Sequence, residues 1–475
     1  MSNLFTAMTT SGRASAAALV LPDGTPISYA QAPSLTDAWC RALAGPGKSL
    51  VVCFAGRNTA TVLCYLAVLR LGHAIALLDA GLDPVDADRF LGAYQPEFVV
   101  WCPDKGVAMK RSPSGYRHVA DLGEAVVWAR ATATEGVLHR DLALVLSTSG
   151  STASPKAARL SYASLESNSR AISETLGITD AERGITALPL HFAYGLLMLS
   201  SHMLSGASVA ICQERPTSRA FWRHFNAAGC TNFPGVASTY DILWSMLPDF
   251  SLVPALRVMT QGGSRLRDER VLGYAALMER RKGQFFVTYG QTEATGRISS
   301  LNVTQLPERV GSVGRVIPRG RLEVRNNDRT MGGSKIGEII YEGPNVMMGY
   351  AESRADLSLG GVLGGTLHTG DVGYLDAEFL YLTGRRSRIA KILGLRLSLD
   401  DIERLFEDAG SAVALDHGDH GILLLTEESP ECLEKARPPV AAKLGVPASL
   451  LAIRRVDRLP RTATGKIDYT RLPDN

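Results

Sequence analysis

Through the first three hundred residues or so, short apolar runs alternate with longer stretches of helical period. The runs at 49–54, 73–78, 97–101, 142–146, 184–188, 207–212, 256–261 and 284–287 read as buried strands. Between them, 59–71, 161–176, 196–204, 217–228 and 267–281 carry apolar residues at helical spacing. Such alternation implies mostly parallel sheets covered by helices on both faces. From 311 to 382 the pattern shifts to short alternating runs (321–325, 338–341, 372–375, 380–382) separated by Gly, Asn and Asp. That reads as an antiparallel sheet or a small barrel. Past a basic stretch at 385–388, another α/β section begins. The expected fold class is α/β, with a large N-terminal domain over 1–385, a barrel-like β-rich section at 310–382 within it, and a small α+β domain over 386–475.

Composition narrows the partners. With 475 residues, a net charge of +3 and 20% charged side chains, the chain has the balance of a soluble globular protein and no footprint for nucleic acid or an anionic membrane. The most apolar long stretch, 61–82, is interrupted by Arg70, His73 and Asp79, which argues for a buried helix and strand over a membrane span. The start of the chain lacks a basic segment followed by an apolar run, so no signal peptide is expected. Seven scattered cysteines form no C-x-x-C pair, which points to reduced thiols in a cytoplasmic protein.

The sharpest motif is Ser147-Thr-Ser-Gly-Ser-Thr-Ala-Ser-Pro-Lys156, directly after the strand at 142–146. Six hydroxyl side chains, a glycine and an ammonium around one loop suit a polyphosphate, although the P-loop spacing G-x-x-x-x-G-K-[ST] is absent. Tyr289-Gly-Gln-Thr-Glu293 follows the strand at 284–287; a tyrosine can stack on a purine, a threonine can bond a phosphate, and a glutamate can hold Mg²⁺. In Thr369-Gly-Asp371 the aspartate can accept from both hydroxyls of a ribose. Gly384-Arg385 and Leu459-Pro-Arg-Thr-Ala-Thr-Gly-Lys466 each place a cation after glycine. Taken singly, each of the last four is as well explained by a turn or a solvated surface. His417 and His420 invite a metal reading, but an exposed turn accounts for them better.

In this order, over 49–466, the motifs resemble those of the adenylate-forming enzymes, the superfamily of acyl-CoA synthetases, luciferase and nonribosomal-peptide-synthetase adenylation domains. Leu188-Pro-Leu-His-Phe-Ala-Tyr-Gly195, Gln261-Gly-Gly263, Gly337-Glu-Ile-Ile-Tyr-Glu-Gly-Pro344 and the stretch from Gly384 to Arg396 match as well. The resemblance assigns Thr148, Ser149, Gly150, Ser151, Thr152 and Lys156 to the β- and γ-phosphates. It places Gly263, Tyr289, Gly290 and Gln291 around the nucleotide, with Tyr289 beside adenine. It gives Thr292 the α-phosphate, Glu293 the Mg²⁺ ion, and Asp371 and Arg385 the ribose. Lys466 becomes the catalytic lysine, and Gly394 the point where pantetheine enters. It also implies that the domain over 386–475 is mobile about a hinge just after Arg385. The substrates implied are ATP with Mg²⁺, a small-molecule carboxylic acid, and a thiol acceptor, CoA or a phosphopantetheine.

The chain departs from the family pattern at Ala153, where a second glycine is usual, at His191-Phe192, which reverses the common order, and at Ser387, where the hinge carries Asp or Lys. Its C-terminal section is also short for the family. No carboxylate lies within 189–199, where amino-acid-activating relatives hold the substrate ammonium, so an α-amino acid is disfavoured. The expected pocket residues His191, Phe192, Tyr194, Gly235, Val236, Gly263 and Gly290 favour an aryl or aliphatic acid. The leading expectation is an acid–thiol ligase forming an acyl-AMP and then a CoA thioester. Loading of an acyl or peptidyl carrier protein, amide formation, and a non-catalytic nucleotide binder are the alternatives.

Overall fold

The computed structural model describes residues 4–104, 112–132, 134, 136–147, 156–246, 250–331, 334–385, 388–392, 395–417, 421–444, 446–461, 467–469 and 471–472. The chain divides by its internal contacts into two compact units, Met1–Arg321 with Glu342–Leu367, and Leu322–Tyr341 with His368–Asn475.

The first unit is built on two large sheets. The eight-stranded one runs in the order Gly349–Ala351, Ala157–Ser161, Leu142–Ser147, Ala74–Asp79, Leu50–Ala55, Phe98–Cys102, Ala125–Arg130, Tyr116–Leu122. Only its centre is parallel: Leu142–Ser147, Ala74–Asp79, Leu50–Ala55 and Phe98–Cys102 run together, and antiparallel strands flank them on both sides. This corrects the expectation of mostly parallel sheets. The flanking strands escaped notice because 116–122 is half exposed and 157–161 follows a polar loop, so neither shows as an apolar run. Helix Thr59–Arg70 and strand Ala74–Asp79 are both deeply buried, as expected of the 61–82 stretch. Among the described residues, no helix is long and apolar enough to cross a membrane.

The second large sheet has five strands: Asn232–Val236, Val258–Gly262 and Gln284–Tyr289 are parallel, and Ser299–Asn302 and Arg315–Val316 continue antiparallel. Helices Tyr162–Leu176 and Ala193–Leu204 pack on one another. In the latter every residue but Tyr194 is buried, as befits a helix with apolar side chains all round. Its Leu196 and Leu199 join the core that contains Leu144 and Leu146 of the eight-stranded sheet, while Leu197 packs with Val258 and Phe286 of the five-stranded one. The helix is therefore clamped between two cores, and the side chains near its start are held in place from both sides.

The second unit opens with a four-stranded sheet, Arg321–Met331, Ser334–Glu342, Thr366–Asp376 and Phe379–Arg385. It is open: no closed barrel occurs among the described residues, so the barrel-like reading of 310–382 is corrected to a sheet. Alternating runs and turns are common to both, and closure depends on a pairing of first with last strand that period alone does not encode. Beyond it come a hairpin, Ile389–Ile392 with Leu395–Ser398, and a three-stranded sheet of Val413–Asp416, Ile422–Thr426 and Leu451–Arg455. Ile402 and Phe406 of helix Leu399–Phe406 and Leu433 of helix Glu431–Leu444 share a core with Leu424 and Leu451 of that sheet.

Candidate active site

Strands Asn232–Val236, Val258–Gly262 and Gln284–Tyr289 end side by side, so Val236, Gly262 and Tyr289 lie at the carboxyl edge of a parallel sheet, where α/β folds place ligands. Small residues there are needed by the backbone. A side chain on Gly290 would fall 2.0 Å from the carbonyl oxygen of Gly296, and one on Gly262 would meet Thr288 Oγ1 at 2.5 Å. Gly235 and Val236 end one strand and Gly263 follows the next, with Val236 and Gly263 side by side.

The segment after Tyr289 turns sharply. Gln291 precedes a 3₁₀ turn, Thr292–Ala294, and Thr295 sits at φ 56°, a left-handed conformation that is rare for a β-branched residue. Two buried asparagines hold it. Asn168 Nδ2 and Asn345 Nδ2 each donate to the carbonyls of both Ala294 and Arg297, at 2.7–3.2 Å. Thr295 Oγ1 donates to the carbonyl of Asn345 at 2.6 Å, and the Met347 amide donates to the carbonyl of Glu293 at 2.8 Å. Thr292 and Glu293 are thus fixed by a frame drawn from two distant parts of the chain.

Lys156, at the start of strand Ala157–Ser161, places its Nζ 4.0 Å from the centre of the Tyr350 ring. The Tyr350 hydroxyl donates to Glu293 Oε1 at 2.8 Å. Burial, and then the neighbouring Glu293 carboxylate, push that hydroxyl above the usual phenol range, so it remains a donor. One side chain thereby spaces a cation from a carboxylate. Tyr350 is in turn fixed by strand pairing with Ala158 and by Arg159, whose Nε donates to the Tyr350 carbonyl at 3.2 Å. Gly349 must be small, since a Cβ there would sit 2.9 Å from Arg159 Nη2 and its φ is +137°.

Tyr194 lies at the start of the clamped helix and bonds Thr260 through its hydroxyl, 2.9 Å to the carbonyl and 2.7 Å to Oγ1. His191 and Phe192 precede it with ring centres 4.2 Å apart. Burial pushes the His191 imidazole down, with Asp79 and Asp104 opposing. Within the second unit, Asp371 is buried and pairs in register with Arg385, whose Nε donates to Asp371 Oδ1 at 3.1 Å. The Arg385 amide donates to Asp400 Oδ2 at 2.8 Å. Thr148, Ser149, Gly150, Ser151, Thr152, Gly394 and Lys466 lie outside the described residues, as do Ala153 and Ser387. The strands on either side of the first five are antiparallel, Ser147 pairing with Ala157.

Behind Tyr194 lies a small cavity of about 30 Å³. Of the expected pocket residues only Tyr194 lines it. The others stand apart from its lining, as the strand-end residues Gly235, Val236, Gly263 and Gly290 illustrate. Sequence reasoning passed over Tyr350, Asn168, Asn345 and Arg297. Arg297 carried a signal, a lone cation in the small and apolar run Ala294-Thr-Gly-Arg-Ile298; the other three become visible only through contacts 48 or more residues away in sequence.

A family model described as AMP-binding enzyme matches residues 7–351. The chain is 30% identical over 246 residues to 2-succinylbenzoate–CoA ligase of Bacillus cereus, a match covering 51% of this chain and 49% of that protein. It thus spans about half the length of that relative. Oxalate–CoA ligase of Arabidopsis thaliana is 26% identical over 448 residues, 86% of this chain and 84% of that one. Among solved structures, O-succinylbenzoate coenzyme A synthetase from Bacillus subtilis, in complex with AMP, superposes with a TM-score of 0.77 at 21% identity, covering 100% of this chain and 98% of that one. ATP-bound MatB from Rhodopseudomonas palustris gives 0.77 at 21%, covering 98% and 97%. With the family model matched across most of its length and its fold shared end to end with these enzymes, the chain belongs to the AMP-binding enzyme family.

Proposed function

We propose that this protein activates a carboxylic acid with ATP, releasing pyrophosphate and forming an acyl-AMP, and then transfers the acyl group to the thiol of CoA. The observation that carries this reading is the bridge from Lys156 through Tyr350 to Glu293, beside the rigid Thr292 turn. It sets a cation and a carboxylate a fixed distance apart, the pair that a metal-bound polyphosphate needs. The curated relatives support the rest. Those described above are named as CoA ligases, which favours CoA over a carrier protein as the thiol. The acids in their names, oxalate and 2-succinylbenzoate, bear no amino group.

Glu293 fits a divalent cation. Its carboxylate is a hard oxygen donor, and among the described residues its side chain has only a neutral hydroxyl as partner. When bound there, Mg²⁺ supplies positive charge to the phosphate oxygens. The chain's own residues do the remaining work. A carboxylate and a phosphate repel one another, so the attack on the α-phosphorus needs cations that cancel that repulsion. Lys156 takes that part toward the β- and γ-phosphates, and Lys466 toward the acid and the α-phosphoryl oxygens. The Thr292 hydroxyl orients the α-phosphate, Tyr289 takes the adenine face, and the paired Asp371 and Arg385 take the ribose. The segment 386–475 is proposed to move between the two half-reactions, carrying Lys466 out and Gly394 in. The reaction is placed in the cytoplasm, where cysteines such as the exposed Cys432 stay reduced.

Pyrophosphate release and hydroxylamine trapping across a panel of carboxylic acids test the proposal. Acid-dependent release is expected. Protein that binds ATP with Mg²⁺ but releases no pyrophosphate with any acid would sink it. Lys466→Ala should slow adenylate formation by about 10²–10³-fold and affect thioester formation from supplied acyl-AMP far less.

A further inference from the structure

Arg297 is 3% exposed, yet no carboxylate pairs with it among the described residues. Its Nη1 donates to Ser300 Oγ at 3.2 Å, and its guanidinium lies 5.7 Å from the centre of the Tyr194 ring. Nε and Nη2 have no described hydrogen-bond partner. Burial pushes its pKa down, with only Tyr194 opposing, but a guanidinium does not lose its proton in a protein. A charge so placed carries a desolvation cost that two weak contacts do not offset.

The side chain lines the cavity behind Tyr194. The other polar groups there are spoken for and neutral. His202 Nδ1 donates to the Met198 carbonyl at 2.8 Å, and its Nε2 accepts from Asn232 Nδ2 at 3.0 Å. Thr260 is engaged by Tyr194. The rest of the lining is apolar, as at Leu197 and Phe233. A largely apolar cavity that contains one uncompensated cation is shaped for an anion on an organic body. Its volume, about 30 Å³, has room for about two waters, the footprint of a carboxylate's two oxygens.

We propose that the acid substrate carries a second carboxylate, which enters the cavity behind Tyr194 and pairs with Arg297. This rests on the acid-activating reaction proposed above and specifies its substrate as a short dicarboxylic acid. The reacting carboxylate stays on the Thr292 side, and the second one fixes the acid's orientation by its charge. An ammonium-bearing acid is rejected by the same arginine.

The test compares succinate, glutarate and phthalate with their monomethyl esters as substrates of the full chain. For at least one pair, wild type should favour the diacid by about 10²-fold or more in kcat/KM for pyrophosphate release. Arg297→Met should collapse that ratio toward one, mainly through KM for the diacid, while KM for ATP stays within about twofold. The same diacid should raise the thermal midpoint of wild type and leave that of Arg297→Met in place. Monoesters used as well as every diacid by wild type, or a preference retained in Arg297→Met, would overturn the inference and leave the acid-activating reaction standing. No pyrophosphate with any acid overturns both. The wild-type ratio decides the matter even if the variant fails to fold.

Discussion

Arg159 and Arg297 are both buried arginines, 1% and 3% exposed, and among the described residues neither sits in an ion pair. Arg159 donates to four backbone carbonyls, of Met348, Tyr350, Leu359 and Gly360, and the Asp356 carboxylate lies close enough to favour its charge. Arg297 has one serine hydroxyl and the face of a tyrosine. Burial alone therefore does not mark a binding site. What separates the two is satisfaction: the first guanidinium is consumed by the fold, clasping the strand that presents Tyr350, and the second keeps donors in reserve toward a cavity.

Breaking that contrast at Arg159 should have the largest effect on stability. Arg159→Met strips charged donors from four carbonyls and should cost about 3–5 kcal/mol, seen as an earlier first transition in urea. Next comes the neutral histidine of the same cavity as Arg297. Burial pushes His202 down to about 4 against an unfolded value of 6.5. The unfolded chain then binds the proton first, so stability is fully present above pH 6.5 and is lost as the pH falls toward 4, by up to about 3 kcal/mol. His202→Gln should flatten that acid limb, and an unchanged limb would show that the cavity admits a charged histidine. A smaller effect is expected at Tyr350→Phe, which keeps the ring under Lys156 and removes the hydroxyl on Glu293. Pyrophosphate release should fall about tenfold with a raised KM for Mg²⁺-ATP, and stability should change by less than about 1 kcal/mol. The smallest is at Arg297→Met without acid present, where the thermal midpoint should stay level or rise. A clear drop would make Arg297 a structural arginine like Arg159.

Much of the frame was legible in one dimension. The strands at 49–54, 73–78, 97–101 and 142–146 and the helix at 161–176 lie within a residue or two of their observed bounds, because buried strands and amphipathic helices each write a local period. The antiparallel flanks of the eight-stranded sheet and the openness of the four-stranded one were not legible, since partner choice and closure leave no period in the chain. The same division runs through the site. Lys156, Thr292 and Glu293 stand out through the order of the motifs that contain them and the resemblance that order carries. Asn168 and Asn345, which hold the Thr292 turn, look like any other polar residues until the fold brings them to the carbonyls of Ala294 and Arg297.

The order of the motifs and the α/β character follow from the amino acids alone, because phosphate chemistry demands hydroxyls, glycines and cations in short loops; the reaction proposed rests on the family resemblance those motifs carry. Which acid the protein takes was left to the tertiary structure. Whether Arg297 is one more surface charge or the unmatched ion of a buried cavity depends on what surrounds it. That is decided when helix 193–204 is clamped between two cores and Tyr194 and Arg297 come to line the same cavity.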